Sequence, residues 1–306
     1  MNVNNNISVK ELVRTYGKIK ALDNISFELP KVELFGFIGP DGSGKTSLFI
    51  ILATLLKQDS GTAFINGFDV LKDFRNIRKI IGYMPGRFSL YQDLTVEENL
   101  KFFATIFGTT ITENYYLIKE IYDQISPFRN RPAGKLSGGM KQKLALSCAM
   151  IHKPDILILD EPTTGVDAVS RKEFWEIFKK LKSEGITIIV STPYMDEAVL
   201  CDRVALIQNG KIMSIDTPLQ IISSYNNIIY GIRSKDMYKL INDLNDYPSA
   251  SGVHSFGQFI HYTDKNGMIN EDKMLNYLTN RKHLEIEIRI IDPTIEDCFM
   301  ELMLNK

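Results

Sequence analysis

The chain has 306 residues, is 44% hydrophobic and 24% charged, and carries a formal net charge of −1. This fits one large folded domain or two unequal ones and gives no footprint for nucleic acid, whose binding usually needs a concentrated basic face. Cys148, Cys201 and Cys298 are scattered without a C-x-x-C pair, and His152, His254, His261 and His283 show no ligand spacing. A disulfide framework and a zinc site are therefore not expected, and a reducing compartment is. Residues 1–6 lack a basic-then-apolar leader, and no apolar run is long enough to span a bilayer, so any membrane role is expected to run through a partner.

In chain order, residues 7–13 and 24–29 read as strands around a loop holding Tyr16 and Gly17. Leu34-Phe35-Gly36-Phe37-Ile38 is a continuous apolar run, as expected of a strand buried on both faces. A glycine-rich loop follows, then a helix over 45–56, and Asn66-Gly67 marks a turn. Residues 95–126 read as mostly helical, and 140–151 as a helix after Gly138-Gly139. A second buried strand covers 155–160, an amphipathic helix 171–183, and β-branched or apolar strands 186–190 and 203–208. This alternation predicts a largely parallel α/β sheet.

A boundary is expected between Thr217-Pro218 and Asn227. Beyond it the order is strand (228–233), helix (237–244), strand (near Val253), strand (259–262), helix (271–278), strand (284–290). This β-α-β-β-α-β order predicts a small ferredoxin-like α+β appendage. A last helix over 295–304 follows, with Thr294 as its expected N-cap.

Three motifs carry chemistry. Gly39-Pro40-Asp41-Gly42-Ser43-Gly44-Lys45-Thr46 satisfies G-x-x-x-x-G-K-[ST] between a buried strand and a helix. Glycines let backbone N–H groups close around phosphates, and the helix start aims its free N–H groups and positive dipole end at them. Lys45 places a point charge on the β/γ-phosphates, and Thr46 offers a hydroxyl to Mg²⁺. With Ser47, these residues form the candidate nucleotide-binding loop.

Ile156-Leu157-Ile158-Leu159-Asp160-Glu161-Pro162 is an apolar strand ending in two acids, where ligands of open α/β sheets gather. Asp160 suits Mg²⁺ held through water, and Glu161 suits polarising a water against the γ-phosphate. Lys45, Asp160 and Glu161 are thus the candidate catalytic residues, and Thr46 and Asp160 the candidate metal residues. Taken alone, the first motif could be a glycine-rich turn and the second a strand ending in solvated acids.

With Leu136-Ser137-Gly138-Gly139-Met140 between these two motifs, the chain resembles the nucleotide-binding domain of an ABC transporter over residues 7–219. The resemblance implies an α/β P-loop fold with an antiparallel β subdomain and a helical subdomain, followed by the appendage (domains 1–219 and 220–306). It implies ATP and Mg²⁺ as ligands and a second ABC ATPase domain as partner. Leu136, Ser137, Gly138 and Gly139 would contact the γ-phosphate held by that second domain, and Asp167 in Gly165-Val166-Asp167 would also face the dimer. Tyr16 matches the aromatic residue that stacks on adenine; the other reading is a buried strand-edge tyrosine. Residues 88–91 and 95–100 resemble the segment that meets the membrane subunit; the other reading is internal packing. Residues 293–299 resemble the end of ABC-2 type subunits, which favours export through a polytopic permease from the inner face of the cell membrane.

Two positions depart from the family pattern. After Ile81-Gly82-Tyr83-Met84-Pro85 the family places a glutamine and this chain Gly86; after Ser191-Thr192 the family places a histidine and this chain Pro193. Neither replacement has a side-chain donor or acceptor. Loss of one donor aimed at transition-state charge commonly costs on the order of 10²–10³ in rate. The favoured expectation is a catalytically weakened subunit paired with a competent ATPase in a heterodimer, ahead of a homodimer that turns over by itself. The rivals are an ATP-sensing non-catalytic regulator and a soluble ABC protein without a permease. A coiled-coil DNA-repair ATPase is disfavoured because no heptad arms separate the motifs.

Overall fold

The computed structural model describes residues 5–304. The chain divides into two compact units, Met1–Pro218 and Leu219–Lys306.

The first unit contains two sheets. Strands β1 (Asn5–Tyr16), β2 (Ile19–Pro30), β4 (Ser60–Ile65) and β5 (Phe68–Asp69) form an antiparallel sheet in the order β2-β1-β4-β5. In β2, the outer face is exposed and Leu22, Ile25, Phe27 and Leu29 turn inward, the period-two pattern of a strand with one wet face. The second sheet has the order β10-β9-β3-β8-β7-β6, comprising β3 (Leu34–Ile38), β6 (Ile81–Met84), β7 (Ile156–Asp160), β8 (Thr187–Thr192), β9 (Arg203–Gln208) and β10 (Lys211–Asp216). Its strands run parallel except at the β9–β10 hairpin. Every residue of β3, β7 and β8 is buried, which is why β3 and the first four residues of β7 read as unbroken apolar runs and β8 as a β-branched one.

The core between the sheets is aromatic at its centre. The Phe37 ring lies 5.1 Å from Phe27, 5.2 Å from Phe35 and 5.7 Å from Phe49, all edge-on. Phe37→Ala should therefore cost about 3–5 kcal/mol of stability, read as a lower urea midpoint with an unchanged slope.

Helix α1 (Lys45–Leu52) follows β3 and ends earlier than the pattern predicts. Thr54 takes a left-handed φ of 61°, and Arg78 grips its hydroxyl at 2.8 Å and its carbonyl at 2.9 Å, so the chain turns there. Helix α2 (Phe74–Ile80) runs directly into β6; like β4, β5 and β10, it has no strong periodic signal. The helical stretch resolves into α3 (Val96–Ile106) and α4 (Ile111–Tyr122), each opened by a capping box, Thr95 with Glu98 and Thr110 with Glu113. Helices α5 (Gly138–Met150) and α6 (Ala168–Ser183) follow, and α6 buries Phe174, Trp175, Ile177, Phe178 and Leu181.

The second unit opens with α7 (Pro218–Ser223), whose first residue is the last of the preceding unit. Then come β11 (Ile229–Arg233), α8 (Met237–Asn245), β12 (Ala250–Phe256), β13 (Phe259–Asp264), α9 (Glu271–Asn280) and β14 (Glu287–Ile291). The sheet order β12-β13-β11-β14, antiparallel throughout, is the split β-α-β arrangement expected from the sequence. Strand β14 starts three residues later than predicted because Lys282 and Glu285 adopt φ of 65° and 54°. Helix α10 (Ile295–Leu304) closes the unit, and Thr294 caps it: its hydroxyl accepts from the Asp297 amide at 3.4 Å while Asp297 accepts from the Thr294 amide at 2.8 Å.

Candidate functional site

In a parallel sheet the carboxyl ends of all strands lie on one edge. The ends of β3, β8, β7 and β6 therefore bring together the glycine-rich loop, Pro193, Asp160 with Glu161, and Gly86.

The loop needs its glycines for different reasons. A Cβ on Gly39 would sit 2.1 Å from the Ile207 carbonyl, and one on Gly44 would sit 2.3 Å from that of Ala21 at a φ of 109°. Gly42 has open space but a φ of 77°. Pro40, Asp41 and Thr46 are exposed, while Lys45 and Ser43 are 3% and 2% exposed. The Lys45 ammonium donates to the carbonyls of Gly39 at 2.7 Å and Pro40 at 2.9 Å. Buried Ser43 Oγ has no hydrogen-bond partner, a polar atom suited to a phosphate oxygen. Tyr16 is 44% exposed, so it is not a buried strand-edge residue; Ser47 Oγ donates to its hydroxyl at 3.4 Å, and the Arg14 guanidinium lies 4.9 Å from its ring centre.

Asp160 is fully enclosed at the end of β7. Ser191 Oγ donates to its Oδ1 at 2.6 Å and accepts from the Glu161 amide at 2.9 Å. Glu161 takes a φ of 50°, and its carboxylate accepts from Thr164 Oγ1 at 3.3 Å. Burial raises the Glu161 pKa, opposed by Lys45 and assisted by Asp160 and Asp41. Burial lowers that of Lys45, opposed by Glu161, Asp41 and Asp160. The loop lysine and the strand-end acids therefore share one electrostatic site.

Among the described residues no group of three His, Cys, Asp or Glu could hold a metal alone. Mg²⁺ does not require such a cage: it commonly takes one or two carboxylates, waters and substrate phosphates. Asp160 and exposed Thr46 fit that sparse donor set.

Gly86 lies over Asp160: a Cβ there would stand 3.2 Å from the Asp160 carbonyl and 3.6 Å from its Oδ2. Pro193 follows β8, where the Tyr194 amide is bonded to Thr192 Oγ1 at 3.0 Å. Ser191 is the central residue that sequence reasoning missed; its only signal is a polar end to a β-branched strand.

The third motif forms a separate constellation. Ser137 caps α5 by accepting from the Met140 amide at 3.4 Å, and Leu136 is buried beneath it. A Cβ on Gly138 would meet the Gly165 carbonyl at 2.8 Å, so this helix start packs on the 165–167 loop. Asp167 caps α6, accepting from Val169 and Ser170 amides at 3.1 and 3.0 Å.

The segment after Gly86 divides between the two readings of it. Val96, Asn99 and Leu100 are buried, and Asn99 bonds the carbonyls of Tyr91, Leu94 and Thr95, whereas Tyr91 and Phe102 are exposed. Nearby lies an apolar groove of about 410 Å³ between β6, α3 and α5, lined by Met84, Leu90, Phe103, Phe107, Cys148 and His152, among others.

Residues 22–164 match the family model described as ABC transporter. The chain is 36% identical over 262 residues to the "Probable multidrug ABC transporter ATP-binding protein YbhF" of Escherichia coli K12, covering 85% of this chain but only 42% of YbhF. It is 34% identical over 262 residues to the "Nod factor export ATP-binding protein I" of Burkholderia lata, covering 84% and 86% of the two chains. Among solved structures, the dimeric bacterial ABC transporter cassette MJ0796 superposes with a TM-score of 0.63 at 27% identity, over 69% of this chain and 98% of that one. The chain shares its fold with that cassette and its sequence with these relatives, and it belongs to the ATP-binding proteins of ABC transporters.

Proposed function

We propose that the chain is the ATP-binding and ATP-hydrolysing subunit of an exporter whose membrane path is a separate polytopic permease. Residues 1–219 form the nucleotide-binding domain and 220–306 an accessory domain. The observation that carries this reading is the shared site of Lys45, Asp160 and Glu161 at the carboxyl edge of a parallel sheet. Export is supported by the names of the relatives, one for multidrug transport and one for Nod factor export. No helix among the described residues is long and apolar enough to cross a membrane, which is why the path is assigned to a partner.

The residues divide the work. Loop amides from Gly39 to Ser47 and the Lys45 ammonium bind the phosphates, and Tyr16 offers its exposed ring to the base. Thr46, and Asp160 through water, would hold Mg²⁺, which would neutralise charge on the phosphates. Glu161 orients and polarises the attacking water, and Ser191 holds its backbone in place. Leu136, Ser137, Gly138, Gly139 and Asp167 face the nucleotide of a second ATPase domain. Since Gly86 and Pro193 offer no polar side chain, that second domain is a more competent ATPase, and the pair is a heterodimer at the inner face of the membrane. The same two residues favour one alternative, an ATP-sensing subunit that never hydrolyses.

Affinity purification from detergent-solubilised cells is expected to recover a polytopic membrane protein and a second ATPase. Recovery of neither would sink the transporter reading. Single-turnover ATP hydrolysis by the purified chain that is unchanged by loss of Glu161 favours the sensing subunit.

A further inference from the structure

Glu197 is a buried carboxylate, 2% exposed, that touches none of the loop residues or strand-end acids. It sits on the 3₁₀ helix Met195–Leu200, which follows Pro193 and Tyr194 beyond the end of β8. Its Oε2 accepts from Oγ1 of the fully buried Thr163 at 3.1 Å. Its Oε1 has no hydrogen-bond partner; Arg171 Nε stands 3.6 Å away, an ion pair without a hydrogen bond. The Arg171 guanidinium also lies 4.2 Å from the centre of the Tyr194 ring.

Three pieces of chain meet through these contacts. Thr163 belongs to the turn that begins at Glu161, where the Thr164 amide donates to the Glu161 carbonyl at 3.1 Å and Thr164 Oγ1 to its carboxylate at 3.3 Å. Arg171 lies in the first turn of α6, directly after the 165–167 loop, and its amide donates to the Asp167 carbonyl at 2.8 Å. Tyr194 follows Pro193, and its carbonyl accepts from the Glu197 amide at 3.2 Å. Ser191 fixes the Glu161 turn at its upstream end, through the Glu161 amide. Thr163 fixes the same turn downstream, against Glu197.

Stability is a poor account of this arrangement. Taking a carboxylate out of water is costly, and apolar residues of similar volume often do as well as a buried ion pair or better. Here one carboxylate oxygen is left without a hydrogen bond. What the arrangement does supply is a fixed, directional contact beside Glu161. A general base acts only within hydrogen-bond reach of its water, and a misplacement of about 1 Å can cost on the order of 10²-fold in rate.

We propose that Glu197 is a positioning residue for hydrolysis at this chain's site: through Thr163 it fixes the turn that carries Glu161, and Arg171 holds it against α6. The inference rests on the reading of Glu161 as the residue that orients the attacking water. Glu197 itself is enclosed and stays out of the chemistry.

The test is single-turnover ATP hydrolysis by the full purified chain, beside equilibrium binding of radiolabelled ATP. Thr163→Val removes the hydroxyl, and Glu197→Met removes its acceptor at similar length. Each is expected to slow hydrolysis by about tenfold while the dissociation constant for ATP stays within about twofold. Glu197→Gln keeps an oxygen that accepts from Thr163, so its rate is expected within about threefold of the parent. A loosened fold would instead weaken binding along with the rate and would not separate Gln from Met at this position. If Glu197→Met does not fold, Thr163→Val and Glu197→Gln carry the test. Rates within about twofold of the parent for Thr163→Val and Glu197→Met, a parallel loss of ATP affinity, or a Glu197→Gln rate no higher than that of Thr163→Val overturns this inference alone. Hydrolysis left unchanged by Glu161→Gln, or none by the parent chain, overturns it together with the reading of Glu161.

Discussion

Glu161→Gln is expected to lower ATP hydrolysis at this chain's own site, measured on the purified chain, by about 10²–10⁴-fold, while nucleotide binding persists. The substitution keeps shape and hydrogen-bonding capacity but removes the negative charge that polarises water. The backbone should hold its left-handed turn, since the Glu161 amide is fixed by the Ser191 carbonyl at 3.1 Å as well as by its hydroxyl. A radiolabelled-nucleotide binding assay beside phosphate release separates the two effects. A rate unchanged by the substitution removes Glu161 from the chemistry.

The same residue sets a pH dependence whose sign follows from its environment. Burial against Asp160 and Asp41, partly offset by Lys45, raises the folded pKa above the ordinary glutamate value. In the proposed role of Glu161 the ionised form is the active one, so activity is expected to rise as pH rises through that elevated pKa and to be lost below it. Glu161→Gln should abolish this limb of the profile. The stability linkage runs the other way. Between the unfolded and folded pKa values the native state holds more protons than the unfolded state, so this group's contribution to stability falls as pH rises through the window. The glutamine variant should be no less stable at neutral pH, which makes a folding defect a poor explanation for lost turnover.

Pro193→His is expected to raise the hydrolysis rate of this chain's own site by as much as about 10²-fold. The strand end that carries Pro193 is already positioned: Ser191 joins Asp160 to the Glu161 amide, and Thr192 Oγ1 accepts from the Tyr194 amide. An imidazole there supplies the missing donor beside a formed acid pair. Gly86→Gln is expected to add less on its own, because its Cβ stands 3.2 Å from the Asp160 carbonyl and the backbone must give by a few tenths of an ångström. Single-turnover kinetics on the purified chain, with and without Glu161, measure both changes. A brisk Glu161-dependent rate in the unaltered protein would contradict the weakened-site reading, and Pro193→His would then have little to restore.

The elements easiest to read in the sequence share a physical reason. Strands β3, β7 and β8 are buried on both faces, so their composition is dictated residue by residue, and the glycine loop must carry glycine where Ile207 and Ala21 carbonyls approach. Strands β4, β5 and β10 were not legible because exposed and half-buried positions dominate them, and pairing with neighbours defines them more than side-chain pattern does. Helix α1 ended early through a contact with Arg78, twenty-four residues beyond Thr54, which no local pattern contains.

The sequence by itself determined the chemistry available: which residues form the glycine-rich loop, which acids end β7, and where Gly86 and Pro193 withhold a polar side chain. Only the tertiary structure decided which groups meet. The parallel sheet placed Lys45 near Glu161 across more than a hundred residues, and it made Ser191 the link between the acids. The antiparallel sheet of the second unit set His254 opposite His261, and helix α10 brought Asp297 to within 2.6 Å of His261. Composition reports the preferences of each residue for burial and turn, but strand order and register bring distant side chains within a few ångströms, where electrostatics and hydrogen bonding act.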